Sequence, residues 1–419
     1  MSQPIPFHLA CLFAAIALPA VALAAPAPLT LEEAVRIAQS RSAQLEAQRA
    51  SAEASASLVG PASQNPDPKL IIGVENVPVE SANKWSLTQS DMTMRRIGVM
   101  QDFVRGEKRE LMGERAQAEA RREAALVEMQ AAEIRREVAM AFLDRLYAER
   151  SVVLVDALVK EAELQVAGTT ARLAAGRGDS SEPVMARANL AMLADRRLEA
   201  ERMAKRAEAR LARWLGEDAK RTPAGEPDLE RLPNVASLTT NLEAHPQIAM
   251  FGPMTAMAEA EAKLAAIANK PDWNMELSYG ARGSEYTNMV TLMFRMDLPV
   301  FPGTRQEPIA LARAKQAGQA RAQAEEARRR YESEIRAAMV DYDIARSRIS
   351  RNEEEIVPLA EARAKASLAA YEGGRGDLAM VLESRRLLLE ARLTALNVRA
   401  EAARAWAQLA YLIPERSPK

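Results

Sequence analysis

Two segments of nearly seventy residues each, 108–175 and 305–373, contain few helix-breaking residues, and this constrains the fold more than any other feature of the sequence. Apolar residues recur in them at helical spacing, and Ile134, Val138 and Phe142, for example, are four apart. At 1.5 Å per residue such a helix is about 100 Å long, which exceeds the width of a globular core. The long helices must therefore cover one another laterally. Pro358 should bend the second one, either as a surface kink or as a hinge.

The first 24 residues are typical of a secretory signal peptide, because an uncharged start is followed by an apolar run and by small residues at Ala22 and Ala24. We expect cleavage after Ala24. The single cysteine, Cys11, lies inside this leader. The mature chain is therefore expected to have no thiol and no lipid anchor.

The remaining composition argues against enzymes and against nucleic-acid binding. His245 is the only histidine after the leader, so a histidine triad or a multi-histidine metal site cannot be built. The 56 basic residues are balanced by 57 acidic ones, which gives no reason to expect a nucleic-acid partner. We expect no catalytic residue, no resident metal and no cofactor.

One order of elements occurs twice along the chain: helix, short strand, short strand, very long helix, Gly-Arg-Gly-Asp turn and return helix. The sequence therefore predicts a mainly α fold with a small β part, built from a duplicated unit. Residues 25–215 form the first repeat, 216–238 the linker, 239–412 the second repeat and 413–419 a tail. The first repeat is expected to have strands at about 68–79 and 92–104, a long helix at about 108–175 and a return helix at about 180–215. The second is expected to have strands at about 272–280 and 289–298, a long helix at about 305–373 and a return helix at about 377–412.

The strands alternate between apolar and polar residues, which fits either a half-buried soluble sheet or a membrane barrel strand that faces lipid on one side and water on the other. Strand lengths near ten residues favour the membrane. Four strands cannot close a barrel. Two copies would give eight strands with an interior filled by side chains, whereas three would give twelve strands and a usable lumen, which a transport role favours. The charged residues expected to line that lumen are Glu75, Arg96, Asp102, Glu276, Arg295 and Asp297.

Methionine is frequent in the strand hairpins, at Met92, Met94, Met100, Met289, Met293 and Met296. Thioethers are soft ligands for Cu(I) or Ag(I), but methionine also fills irregular apolar surfaces. Without a geometry that brings three sulfur atoms together, packing is the favoured interpretation.

The segments "MTMRRIGVMQDF", "VRGEKRE" and "PVFPGTRQE", together with the paired "GRGD" turns and the duplicated layout, resemble the TolC family of outer-membrane efflux channels over residues 29–412. The resemblance implies a homotrimer whose twelve-stranded β-barrel crosses the outer-membrane lipid of a Gram-negative bacterium and continues as a long α-helical barrel in the periplasm. It also implies two partners, a periplasmic adaptor (membrane fusion protein) and an inner-membrane pump of the resistance-nodulation-division (RND) class. The methionine-rich hairpin resembles the heavy-metal branch of the family. A periplasmic adaptor or a coiled-coil scaffold is the alternative.

Each Gly-Arg-Gly-Asp run reverses the chain, because glycine tolerates the left-handed conformation that ends a helix and aspartate caps the next one. The resemblance implies that both turns lie at the periplasmic mouth. A tight turn explains the glycines and aspartates but not the arginines, which we expect to contact the adaptor or to seal the mouth. The residues of this predicted contact are Gly176, Arg177, Gly178, Asp179, Gly374, Arg375, Gly376 and Asp377.

Overall fold

The computed structural model describes residues 27–80, 82–176, 179–232 and 242–412. The predicted signal peptide, part of the predicted linker, Arg177, Gly178 and the tail from 413 lie outside the described residues.

The described chain is mainly helical with one small antiparallel sheet, as the sequence predicts. Its strands are β1 (Lys69–Glu75), β2 (Met94–Phe103), β3 (Trp273–Ala281) and β4 (Met289–Met296). Its α-helices are α1 (Leu31–Arg41), α2 (Ala43–Ala62), α3 (Gly106–Ala174), α4 (Ser181–Leu215), α5 (Pro246–Ala249), α6 (Phe251–Ala266), α7 (Gln306–Arg351), α8 (Val357–Glu372) and α9 (Leu378–Ala410). None of these helices combines the length and the apolar character that crossing a membrane requires.

Two strands are shorter than the sequence suggests, for local reasons. β1 ends at Glu75 because Asn76 adopts a left-handed backbone with φ 57° and Pro78 follows. β4 ends at Met296, three residues before Pro299, which has no backbone N–H to donate to a strand neighbour. Asp297, expected in the strand, therefore lies beyond it.

The second long helix is interrupted rather than continuous. A π-helical turn over Asn352–Ile356 joins α7 to α8, and Pro358 lies in the first turn of α8. Proline removes a backbone donor and its ring clashes with the carbonyl four residues earlier, so the wider π turn relieves both problems. The first long helix, α3, has no such break over its 69 residues.

The apolar core lies near the middle of the long helices. Ile134, Val138 and Phe142 of α3 are fully buried, and α1, the end of α4 and the end of α9 pack against them. A second cluster joins α5, α7 and α9 around Tyr331 and Ile335. Toward the sheet α2, α3, α6 and α7 lie side by side as a single layer, and many of their side chains and of those near the hairpin tips are exposed.

Hydrogen bonds and ion pairs hold the segment after α4 against this core. A 3-10 turn over Gly216–Lys220 follows α4, and the carboxylate of Glu226 accepts hydrogen bonds from Tyr147 and from Arg150 at 2.7 Å. Arg399 of α9 reaches the same carboxylate at 3.3 Å and also pairs with Glu353 of the π turn. The linker thus connects α3, α9 and the helix interruption.

Burial alone would raise the pKa of Glu226, but the hydrogen bonds from Tyr147 and Arg150 and the charge of Arg399 outweigh it and hold this pKa below its ordinary 4.5. The carboxylate therefore stabilises the fold above pH 4.5, and its contribution is lost as the pH falls through the lowered pKa.

We expect Glu226→Gln to lower the free energy of unfolding by about 1–3 kcal/mol at neutral pH, since it removes charged hydrogen bonds. The difference from the wild type should shrink as the pH falls below 4.5. Chemical unfolding followed by circular dichroism measures it. Glu230→Gln, whose carboxylate is 77% exposed, is the matched control and should stay within about 0.5 kcal/mol. A difference in unfolding free energy that does not change with pH would contradict the lowered pKa of Glu226.

Candidate functional site

The sheet is an antiparallel meander in the order β1-β2-β3-β4. Ile72 lies opposite Ile97, Ile97 opposite Tyr279, and Tyr279 opposite Val290, so one face is continuous across all four strands. β2 passes into α3 with only two residues between them. The backbone N–H of Arg105 in that junction donates to Asp272 at 3.1 Å, which fixes the sheet to the helices.

One face of the sheet is apolar and open. Its large side chains are between 41% and 73% exposed: Leu70, Ile72, Val74, Ile97, Val99, Trp273, Leu277, Tyr279, Val290, Leu292, Phe294 and Met296. A contiguous patch of this kind marks a surface that meets another protein or a membrane.

Aromatic rings lie at both ends of the apolar face. Phe103 stacks on Trp273 with ring centroids 4.2 Å apart, at the end nearest the helices. Tyr279 lies six residues further along β3, about 20 Å away, and its hydroxyl accepts a hydrogen bond from Asn288 at 2.6 Å. Aromatic belts at both boundaries of an apolar band are typical of membrane β-barrels.

The opposite face carries an ion-pair ladder that crosses all four strands. Arg96 of β2 binds Glu75 of β1 and Glu276 of β3, and Arg295 of β4 binds Glu276 at 2.8 Å. We call these four residues the charge ladder. The Ser278 hydroxyl also accepts a hydrogen bond from Arg96 at 2.8 Å, and Lys69 pairs with Asp102 at 2.7 Å. Charges of opposite sign therefore satisfy one another on this face.

The structure brings together five of the six charged residues that the sequence assigns to the lumen side: Glu75, Arg96, Asp102, Glu276 and Arg295 share the polar face. Asp297 is exposed beyond β4 and makes no part of the ladder. The six predicted residues do not include Lys69 and Ser278, although the alternation of the strands places both on this face.

Four of the six hairpin methionines lie on the polar face. Met289 lies opposite Gly280, and the Met94 side chain packs against the same glycine, whereas Met100 and Met293 lie on either side of Glu276. The Sδ atom of Met289 is 2.9 Å from the Arg282 guanidinium. Met296 belongs to the apolar face, and Met92 lies in the loop before β2. Within the described residues no group of three or more His, Cys, Asp or Glu side chains could hold a metal ion.

The second Gly-Arg-Gly-Asp turn closes α8 and starts α9. Gly374 has φ 69°, its N–H donates to Tyr371, and the N–H of Arg375 donates to Ala370, which satisfies the last carbonyls of α8. Asp377 is the N-cap of α9 and accepts from the Met380 N–H at 2.8 Å. A Cβ on Gly376 would lie 3.2 Å from the Tyr371 nitrogen, so close chain approach explains this glycine. The Arg375 side chain is exposed.

The first turn is similar in its described part. Gly176 has φ 68°, and its N–H donates to Leu173. Ser180, not Asp179, occupies the N-cap position of α4, but the Asp179 carboxylate accepts from the Ser181 N–H at 2.7 Å. This hydrogen bond lowers the pKa of Asp179 below its ordinary value. The predicted positions of Arg177 and Gly178 lie outside the described residues.

A tyrosine joins the two hairpin tips. The Tyr371 hydroxyl donates to Glu182 of α4 at 2.8 Å, and the Arg172 guanidinium lies 4.6 Å from the Tyr371 ring centroid. The ends of α3, α4 and α8 are therefore held side by side. No sequence motif marks this link, because its three residues lie in separate helices.

Neither protein-family models nor curated protein sequences match the chain. Solved structures do. A membrane protein from Pseudomonas aeruginosa matches with a TM-score of 0.78 at 16% identity, over 91% of this chain and 93% of that one. The outer membrane protein VceC of Vibrio cholerae matches with a TM-score of 0.75 at 19% identity, over 91% and 95%. The Campylobacter jejuni CmeC outer membrane channel matches with a TM-score of 0.76 at 14% identity, over 91% and 85%. The chain thus has the fold of these three membrane proteins over nearly its whole described length.

Gly176→Ala and Gly374→Ala should each destabilise the hairpin tips by about 1–2 kcal/mol, because a side chain is disfavoured at positive φ. Gly168→Ala is the matched control, since neither Gly176 nor Gly168 has an atom within 4 Å of an added Cβ. Gly168 lies inside α3, so alanine there should stabilise by about 0.5–1 kcal/mol. Amide hydrogen exchange in the last turns of α3 and α8 measures both effects. Equal exchange in all three variants would contradict the left-handed turns.

Proposed function

We propose that the protein is an outer-membrane channel of the TolC family, the exit duct of a tripartite efflux system in a Gram-negative bacterium. The observation that carries this proposal is a sheet with an open apolar face and an ion-paired polar face at the end of two long helical hairpins. The apolar face suits hydrocarbon and the polar face suits a wet lumen. The shared fold with outer-membrane channels supports the assignment.

The channel requires several copies of the chain. β1 and β4 are open edges of the described sheet, and unpaired strand edges are not tolerated in lipid. Three copies give a twelve-stranded barrel with a lumen, and their helices would form the tube below it. Exposed apolar residues along the helices, such as Val153, Leu164 and Leu359 at 69%, 75% and 70%, are available for contacts between copies. The same order of elements in both halves supports an origin by duplication.

The substrates come from the periplasmic side, where an adaptor and an inner-membrane RND pump would deliver them to the hairpin tips. The exposed Arg375, and Arg177 with it, are proposed to bind the adaptor's tips or to seal the mouth. The cargo we propose is heavy-metal ions, because methionine supplies four of the apolar side chains on the polar face of the sheet. Thioethers facing water offer weak, soft contacts that do not hold a passing ion.

A periplasmic adaptor or a coiled-coil scaffold is not favoured, since neither uses the open apolar face of the sheet. Cell fractionation distinguishes these classes. We expect the protein in the outer-membrane fraction, as an oligomer that resists mild heating in detergent. A soluble periplasmic protein, or a monomer in detergent, would contradict the channel.

Complementation tests the arginines and the cargo together. A deletion strain should become sensitive to copper or silver ions more than to organic toxicants, and the wild-type gene should restore resistance.

Arg177→Glu with Arg375→Glu should fail to restore resistance while oligomers form normally, because charge reversal removes the adaptor contact. Arg187→Glu, which reverses the charge of another exposed arginine near the start of α4, is the matched control and should restore resistance. Full resistance with the double variant would refute the role of the arginines, and sensitivity to organic toxicants alone would refute the metal cargo.

A further inference from the structure

The charge ladder ends in opposite charges at the two open edges of the sheet. Across β1, β2, β3 and β4 the order is Glu75, Arg96, Glu276, Arg295, that is, acid, base, acid, base. The two inner side chains are 14% and 3% exposed, whereas Glu75 and Arg295 at the edges are 41% and 47% exposed. Each edge residue has one ion-pair partner within the chain and one open side.

The strand directions allow a second copy to continue the sheet. Neighbouring strands are antiparallel throughout, so β1 and β4 run in opposite directions. A second copy placed beside the first therefore pairs its β1 with β4 as another antiparallel neighbour. Such a head-to-tail interface closes into a ring when the rotation allows.

We propose that Arg295 of one copy binds Glu75 of the neighbouring copy, so that the charge ladder continues around the whole barrel as a closed ion-pair belt. This inference rests on the proposed function and adds the register in which the copies join. Glu75 lies level with Met94 of β2 and Arg295 level with Asp102, eight residues further along that strand, so the neighbouring copy must be staggered by that length, as the tilted strands of a closed barrel allow. Cross-strand pairs of opposite charge stabilise a register, and a shift by one residue would turn Arg295 against the apolar face.

A two-fold arrangement does not satisfy the same charges. Pairing β4 with a second β4 brings together polar-face residues without an acid, namely Met289, Thr291, Met293 and Arg295. Pairing β1 with a second β1 could set Lys69 against Glu75, but Lys69 already binds Asp102 at 2.7 Å, and both β4 edges would remain open. Head-to-tail pairing covers both edges with one interface and leaves neither end of the ladder without an opposite charge.

The belt has a consequence for transport. Each copy adds two acids and two bases to it, so the ring is neutral whatever the number of copies. Its members hold the copies in register, and ion selectivity must come from other positions.

Cysteine cross-linking tests the register. Glu75→Cys with Arg295→Cys, in a Cys11→Ser background, is extracted from outer membranes and treated with a short thiol cross-linker. On a non-reducing gel, most chains should run as cross-linked species up to the size of the full oligomer. Each single variant should stay uncrosslinked. Lys69→Cys with Arg295→Cys is the matched control, because position 69 lies about 20 Å from position 75 along β1 and should not react.

The outcomes separate this inference from the proposed function. Cross-linking of the Lys69 pair, or of Glu75→Cys alone, in an intact oligomer overturns the belt and leaves the channel standing. An unmodified protein that is monomeric in detergent overturns both.

A double-mutant cycle provides a second test that needs no cysteine. Glu75→Gln and Arg295→Gln each lower the temperature at which the oligomer dissociates, and the double variant should lose less than the sum, because both changes break the same contact between copies. Strictly additive losses would overturn the belt.

Discussion

The sheet separates two kinds of surface, and the proposed assembly depends on that separation. Large apolar side chains occupy one face without cover, while charges on the other face bind one another. In water the apolar face is costly, because exposing apolar surface to water is unfavourable in free energy. In hydrocarbon the second face would be costly, because even paired ions lose hydration. A boundary between lipid and water suits both faces, and the wall of the proposed barrel is such a boundary.

The long helices connect the sheet to the rest of the molecule. β2 leads almost directly into α3, and Asp272 fixes the junction through the Arg105 backbone, so the sheet sets where the helices start. The buried core around Phe142 then gathers the helices at their middle, and Glu226 connects the linker to α3 and α9 there. At the far end, left-handed glycines reverse both hairpins, and Tyr371 joins their tips.

Much of this could be read from the sequence, because period-two alternation and helical spacing are local signals. They indicate the strands, the long helices and the face of the sheet on which Glu276 lies. The details that the sequence does not predict depend on features that these local patterns do not contain. Asn76 in a left-handed conformation shortens β1, and the helix widens into a π turn beside Pro358, a detail that the expectation of a kink or a hinge leaves open. The Tyr371 link and the Glu226 contacts join residues far apart in the chain, so no spacing rule reports them.

The most direct test of whether the apolar face meets lipid uses two adjacent residues of β4 that point to opposite faces. Single variants Thr291→Cys and Leu292→Cys, in a Cys11→Ser background, are labelled in intact outer membranes with a water-soluble maleimide and with a lipid-dissolved thiol probe. Leu292 is 56% exposed in the isolated chain, so exposure in one copy alone would favour its reaction with the water-soluble reagent. If the apolar face meets lipid, the reverse is expected: the maleimide labels Thr291→Cys, and only the lipid-dissolved probe labels Leu292→Cys. Faster maleimide labelling of Leu292→Cys would contradict it.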